Sequence, residues 1–408
     1  MVSSYSKKFP NGNVYEVKSY ECDKTIPLVN NLNEVCLPHL LYDYNDMKLS
    51  VSHMEGNNTI LRYLDFKAIC ECISYLHKKK LIIDNLNVNN YFTNFDHITI
   101  SSIKSYYLHI LNCMDNNTFN TLKEYCNGKD YQKYGSTIKL TTDDAKTLTG
   151  GPTIFLVDNV DKIALFYLKA SNISPNELNY IMTAINKNTK IKEEIQKLEK
   201  ELQEFDDKLG SKLLDKQHSV NSDIYKFHDR INKEIIRQKA KLEQVELDNK
   251  FIPNRQKHYN RFHSDGEYDS NMFTCDIDED IVEEIMMLNI KAGWKILLML
   301  GIGIFKKNND IKYAEIMKKL AYEQKLFVIV ASSDYIYGTN YQFCHGYIGK
   351  DLKNMTQEKI IQAFGRVGRQ GAFGDYSIRI RDNAIINKLF FKEENKMEVI
   401  NMNKLFCE

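Results

Sequence analysis

The sequence predicts an α/β fold: a parallel sheet with a long helical hairpin inserted in it, preceded by a mostly helical module. Three observations predict it. From Lys295 onward, short apolar runs alternate with amphipathic stretches, as strands do when crossover helices cover both sheet faces. Between residues 187 and 249, apolar residues recur at three-four spacing with charges between them, the pattern of a helix–helix seam. Before residue 145, apolar residues recur at near-helical spacing between Asn-rich breaks.

In chain order, Ile60 to His77 predicts an amphipathic helix through Leu61, Ile69, Ile73 and Leu76. Ser102 to Met114 predicts another through Ile103, Tyr106, Tyr107, Ile110 and Leu111. Asn57-Asn58 and Asn116-Asn117 mark loops. Thr153 to Val157 predicts a buried strand, and Asp158-Asn159 caps a helix over Val160 to Ala170. Apolar residues before Asp158 also fit the metal-binding strand of a nucleotide hydrolase; Asn159 in place of Glu, and the lack of a preceding phosphate loop, favour the capped helix. Ile191, Ile195, Leu198, Leu202, Phe205 and Leu209, then Ile231, Ile235, Leu242 and Val245, predict an antiparallel coiled-coil hairpin broken at Gln217 to Asp223. Such a hairpin is either an arm that contacts a partner or nucleic acid, or a solvated insertion. Asn254 to His263 is basic and interleaved with aromatics, which suits either a phosphate-contacting patch or a solvated face. The acidic run Asp276 to Glu284 opens a helix reaching Asn289; Asp276, Asp278 and Asp280 lack the Gly and distal Glu of a calcium loop. Strands are then expected at Ile296–Leu300, Leu326–Ala331, Cys344–Ile348 and Asp375–Ile380, with helices at Lys312–Gln324 and Thr356–Phe364.

The 408 residues leave room for two or three domains, and a net charge of +1 excludes a polycation, so any nucleic-acid surface is local. Nine cysteines without a regular framework suggest a reducing compartment. No apolar run is long enough to span a bilayer, and the first residues lack a signal-peptide core, so a cytoplasmic or nuclear protein is expected. Cys22, Cys36, His39 and His53 include one C-x-x-H pair but otherwise irregular spacings, and the expectation is no metal. Adjacent Cys344 and His345 point to opposite strand faces, which does not suit a nucleophile and its base.

Gln362-Ala-Phe-Gly-Arg-Val-Gly-Arg-Gln-Gly371 is the most informative segment. At that spacing Gln362, Arg366 and Arg369 share one face of a helix. A fixed pair of guanidinium forks suits a triphosphate. Such a pair is expected at the carboxyl-terminal rim of the sheet and outside its apolar interior. The segment resembles motif VI (Q-x-x-G-R-x-G-R) of superfamily 2 helicases. Phe327 to Asn340 resembles motif V, and Leu297 to Phe305 with Tyr313 to Leu320 resembles the strand, loop and short helix before it in the Ski-like branch. The composition is similar to that of helicases from large, AT-rich DNA viruses, which would make the chain virus-encoded.

The resemblance implies a RecA-like helicase C-terminal domain. It would make Arg366, Arg369 and Gln362 the catalytic contacts to ATP phosphates, supported by Gly365 and Gly368. Gly338 and Asn340 would couple to the nucleotide, and Ser332, Ser333, Gly301 and Gly303 would contact RNA or DNA; the two serines also suit simple strand-end caps. No G-x-x-x-x-G-K-[ST] or D-E-x-[DH] occurs in these residues, so ATP and magnesium would be held only with a first RecA-like lobe from another polypeptide. The expected organisation is a helical module over 1–145, the RecA-like domain over 146–186 and 250–385, the hairpin over 187–249 and a tail over 386–408. The alternative is a non-catalytic module, a relic helicase domain that binds a protein through its coiled coil.

Overall fold

The computed structural model describes residues 2–13, 15, 24–127, 152–210, 221–245, 247–262, 274–306, 310–333, 341, 343–352, 354–368, 376–393 and 396–407. Its six strands are β1 (Leu28–Val29), β2 (Thr153–Leu156), β3 (Ile302–Phe305), β4 (Val328–Ala331), β5 (His345–Ile348) and β6 (Ser377–Ile380). They form one sheet in the order β1-β6-β5-β2-β4-β3, and every registered pair is parallel. The chain divides into two compact units: Met1–Ser136 with Gly150–Asp158 and Ser333–Glu408, and Thr137–Thr149 with Asn159–Ser332.

The first unit opens with helices α1 (Val2–Lys8), α2 (Pro38–Leu41), α3 (Tyr44–Glu55), α4 (Phe66–Lys78), α5 (Val88–Tyr91), α6 (Ile100–Cys113) and α7 (Asn116–Asn127). The expected single helix from Ile60 is instead a 3-10 turn over Asn58–Tyr63 followed by α4. The break falls where the Asp65 carboxylate accepts the Ala68 N–H at 2.7 Å, so a buried N-cap overrides the apolar periodicity. Met47, Val51, Ile69, Leu76, Tyr107, Leu111 and Leu122 fill the core between these helices. β1 was not expected from the sequence; Leu28 pairs with Ile378, and Val29 with Arg379, in two residues too short to show a period.

The second unit contains α8 (Val160–Ala170), α9 (Pro175–Gly210), α10 (Asn221–Lys239), α11 (Gln256–Phe262), α12 (Glu279–Met287), α13 (Ala292–Met299) and α14 (Ile311–Tyr322), with β3 and β4. α9 and α10 form the expected hairpin. Ile191, Ile195, Ile231 and Ile235 are its buried seam, flanked by Leu198, Leu202, Phe227 and Leu242. Its antiparallel sense follows from the ion pairs Lys187–Glu243, Lys239–Glu199 and His228–Asp206. Much of the polar break at 217–223 lies outside the described residues. The strand expected at Ile296–Leu300 is the second half of α13. Ile296, Leu297 and Leu298 are buried all round, and a short apolar run of that kind does not distinguish helix from strand.

The chain then returns to the first unit through β5, α15 (Gln357–Phe364), β6, α16 (Asn383–Phe390) and α17 (Met397–Cys407). The 386–408 tail is therefore largely helical, and α16 buries Ile385, Ile386, Leu389 and Phe390. Among the described residues, no helix is long and apolar enough to cross a membrane.

Candidate functional site

α15 connects two of the segments singled out in the sequence. At its first turn, the Thr356 hydroxyl caps the helix and the Lys359 ammonium donates to Ser333 Oγ at 3.0 Å. Ser333 and Ser332 follow β4 directly, so they stand at the carboxyl-terminal end of that strand. The Ser332 N–H donates to the Phe305 carbonyl at 3.2 Å, which continues the β3–β4 ladder one step past the strands. Gly338 and Asn340 lie outside the described residues.

At its other end, α15 stops at Phe364. Gly365 is the C-cap in right-handed conformation, with its N–H on the Ile361 carbonyl at 2.9 Å. The Arg366 and Val367 N–H groups then bond only three residues back, to the Ala363 and Phe364 carbonyls at 3.1 and 3.0 Å. Val367 then bridges Phe343 in parallel register, and the Gly368 N–H donates to the Phe343 carbonyl at 2.8 Å. Gly368 has φ +69°, a left-handed conformation that glycine adopts without strain, and a Cβ there would meet Ile26 Cδ1 at 2.8 Å.

Two expectations are thereby corrected. Gln362 and Arg366 do not share one helix face: Gln362 is exposed in the last turn, whereas Arg366 lies beyond it in the turn and is 8% exposed. The second correction concerns the rim. Phe343 precedes β5, so Arg366 to Gly368 sit at the amino-terminal end of β5 and not at its carboxyl-terminal end. The cause is the crossover itself, because α15 runs antiparallel to the strands that it joins. Arg369 lies outside the described residues.

Gly301 and Gly303, expected near nucleic acid, take internal positions. Gly301 has φ +81° and carries the chain out of α13 into β3. Gly303 is buried within β3, where a Cβ would stand 3.0 Å from both Leu326 Cδ1 and Met317 Cγ. Its hydrogen atom lets α14 approach the strand.

Open parallel sheets bind ligands where neighbouring strands lead their connections in opposite directions. Here that point lies between β2 and β5, a placement that no local spacing in the sequence marks. The Asp351 carboxylate accepts the Asp158 N–H at 3.0 Å. A Cβ on Gly349 would lie 2.6 Å from Val157 Cγ1 and 2.7 Å from Asp351 Oδ1. Gly349-Lys350-Asp351 was visible in the sequence only as a failed phosphate loop; its carboxylate occupies the backbone donor that an anion would use. The Asn159 side chain accepts the Lys162 N–H at 3.0 Å, so the capped-helix reading of this segment holds.

Other candidates resolve locally. Asp161, in the first turn of α8, accepts from Lys291 and Lys306 at 2.8 Å each, and these hydrogen bonds hold its carboxyl below the usual range. The basic segment is only partly a surface: Asn254, His258 and Tyr259 are buried, and Arg255 pairs with Asp276 at 2.8 Å. His345 bonds Ser377 Oγ through Nδ1 at 2.8 Å. Burial pushes the Cys344 thiol up to about 11, which suppresses thiolate at neutral pH. His39 does not gather Cys36 and His53; its ring meets Cys72 and Cys126, which come from separate helices and show no ligand spacing in the sequence. Cys22 lies outside the described residues.

Compared with known proteins, the chain matches no protein-family model and no curated sequence.

Proposed function

We propose that the chain is the second motor lobe of a superfamily 2-type, ATP-dependent nucleic-acid helicase, completed by a first RecA-like lobe that these residues do not contain. The observation that carries this reading is the single helix α15. It is bonded at one end to the serine turn after β4 and ends at the Gly365-Arg366 turn at the other. A motor needs such a connection, because nucleotide state and nucleic-acid contact must bias one rigid element. The parallel sheet and the order of the motif-like segments along it are consistent with the reading.

Arg366 at the amino-terminal side is compatible with this role. A donated arginine serves a nucleotide held by another lobe, so its position follows from how that lobe docks and not from where a sheet binds its own ligand. ATP and magnesium would be held by the first lobe; Arg366, with Arg369, would stabilise charge on the transferred phosphoryl group, and Ser332 and Ser333 would contact the RNA or DNA backbone. The test is association of the chain with a first lobe in the presence of ADP, magnesium and aluminium fluoride. Complex formation that depends on the transition-state mimic and is lost in Arg366→Ala supports the proposal.

One observation favours a second reading. Arg366 is 8% exposed, and Gly368 is fixed by a left-handed φ of +69°, so this segment also serves as a folding turn. In that case the lobe is a relic scaffold, and the α9–α10 arm, with Tyr225 and Ile236 exposed, binds a protein partner. Association that ignores nucleotide and disappears when the arm is removed selects this reading.

A further inference from the structure

We propose that His39 Nε2, Cys72 Sγ and Cys126 Sγ form a zinc site that ties α2, α4 and α7 together. The three atoms come from three separate helices and meet in the interior of the amino-terminal module. His39 and Cys72 are fully buried, and Cys126 is 2% exposed.

The spacing is that of a coordination shell. Nε2 stands 3.6 Å from Cys72 Sγ and 3.5 Å from Cys126 Sγ, and the two sulfurs are 3.9 Å apart. Around a tetrahedral zinc with Zn–S of about 2.3 Å and Zn–N of about 2.0–2.1 Å, the N···S separation is about 3.5 Å and the S···S separation about 3.8 Å. One thiol donating to Nε2 and the other to the first sulfur spans the same triangle, so the choice is between a chain of thiol hydrogen bonds and a metal. A cation inside the triangle uses the Nε2 lone pair and both sulfurs at once.

The surroundings fit as well. His39 Nδ1 is 2.6 Å from Tyr107 Oη on α6, a partner that fixes the ring with Nε2 directed at the sulfurs, as the outer contacts of metal-bound histidines do. Charge balances too. Zinc displaces one proton from each thiol, so the dication and two thiolates sum to zero, which suits an apolar interior. Three protein ligands leave one tetrahedral position for a water molecule. The thiolate and imidazole donors favour zinc over calcium or magnesium.

The test uses the full chain, expressed with zinc and assayed for metal content, then stripped with a chelator and titrated with cobalt(II). The proposal expects about one zinc per chain and a lower melting temperature after stripping that zinc restores. It also expects a cobalt spectrum with thiolate charge-transfer bands and the intense visible bands of a tetrahedral ion. Cys72→Ser and Cys126→Ser each weaken the charge transfer, whereas Cys113→Ser, at an exposed cysteine on α6, leaves it intact. If the serine variants fail to fold, the wild-type cobalt spectrum still decides. Absence of retained zinc together with a cobalt spectrum lacking thiolate bands overturns the site. So does a Cys72–Cys126 disulfide in the purified protein, and stoichiometric copper in place of zinc overturns the choice of metal.

Discussion

Lys359 Nζ donates a hydrogen bond to Ser333 Oγ at 3.0 Å, so the turn after β4 is fastened to the helix that ends at Arg366. Both groups are partly buried, and a charge-assisted bond in such a place contributes roughly 1.5–3 kcal/mol. It ties the Ser333 turn to the first turn of α15, three residues before Gln362.

Breaking that link should uncouple the motor with little effect on the fold. Lys359→Met keeps the apolar stem and removes the donor. In a reconstituted two-lobe enzyme, stimulation of ATP hydrolysis by nucleic acid is expected to fall about fivefold or more, while the unstimulated rate changes little. Steady-state rates with and without single-stranded RNA or DNA measure this.

The two glycines of the G-R-x-G segment should respond differently to alanine. At Gly365 a methyl group meets only the Ile361 and Gln362 carbonyl oxygens, at 3.3 and 3.5 Å, in right-handed conformation. Gly365→Ala should therefore stay within about 0.5 kcal/mol of wild type. Gly368→Ala has to hold a φ of +69° and displace Ile26 Cδ1 from 2.8 Å, and is expected to cost about 1–3 kcal/mol. Urea denaturation of the two variants side by side checks the contrast.

The arm should open without unfolding the first unit. Ile195→Ala removes a side chain from a seam of four buried isoleucines, at an expected cost of roughly 2–4 kcal/mol. Hydrogen exchange should accelerate along α10 and remain slow along α15. Equal acceleration in both helices would show that the hairpin is not a separate cooperative unit.

Stability should also depend on pH through Lys295. This side chain is buried, with its ammonium on Thr189 Oγ1 at 3.0 Å and the Met286 carbonyl at 2.8 Å, and desolvation brings its pKa down to about 8. An unfolded lysine titrates near about 10.4, so between about pH 8 and 10 the unfolded chain binds a proton that the folded chain has lost. Lys295 therefore makes unfolding free energy rise with pH across that window. The buried Cys344 and Cys275 thiols, pushed up to about 11 and about 12, act the other way there, because they ionise first in the unfolded chain. Above about pH 10 the Tyr63 phenol, pushed up to about 12 by burial, adds to that loss. Between about pH 8 and 9.5 the urea midpoint should therefore fall more steeply in Lys295→Met than in the wild type.

Where a segment's apolar pattern had one physical reading, the sequence disclosed its structure. Val160 to Ala170 carried a cap and a helical period, and α8 has those bounds. The seam isoleucines of the hairpin were legible because three-four spacing between charges fits no other element. Ile296 to Leu300 misled because it is apolar on every side, and β1 escaped notice because two residues show no period. The candidate site was legible as residue types and not as placement. Nothing local says that α15 stops at Phe364, since Gly365 is compatible with continuing the helix; the stop comes from Val367 pairing with Phe343 more than twenty residues earlier. The His39, Cys72 and Cys126 cluster was invisible for the same reason, because ligands from three helices leave no spacing to read.

The most direct test is steady-state ATP hydrolysis by the chain mixed with a first RecA-like lobe that carries G-x-x-x-x-G-K-[ST]. The account predicts no hydrolysis by the chain alone, hydrolysis with the first lobe present that exceeds the first lobe's own rate, and a fall of about 10³-fold or more in Arg366→Ala that Arg366→Lys does not restore. Robust hydrolysis by the isolated chain, or a reconstituted rate unchanged by Arg366→Ala in a variant that still folds, would contradict it.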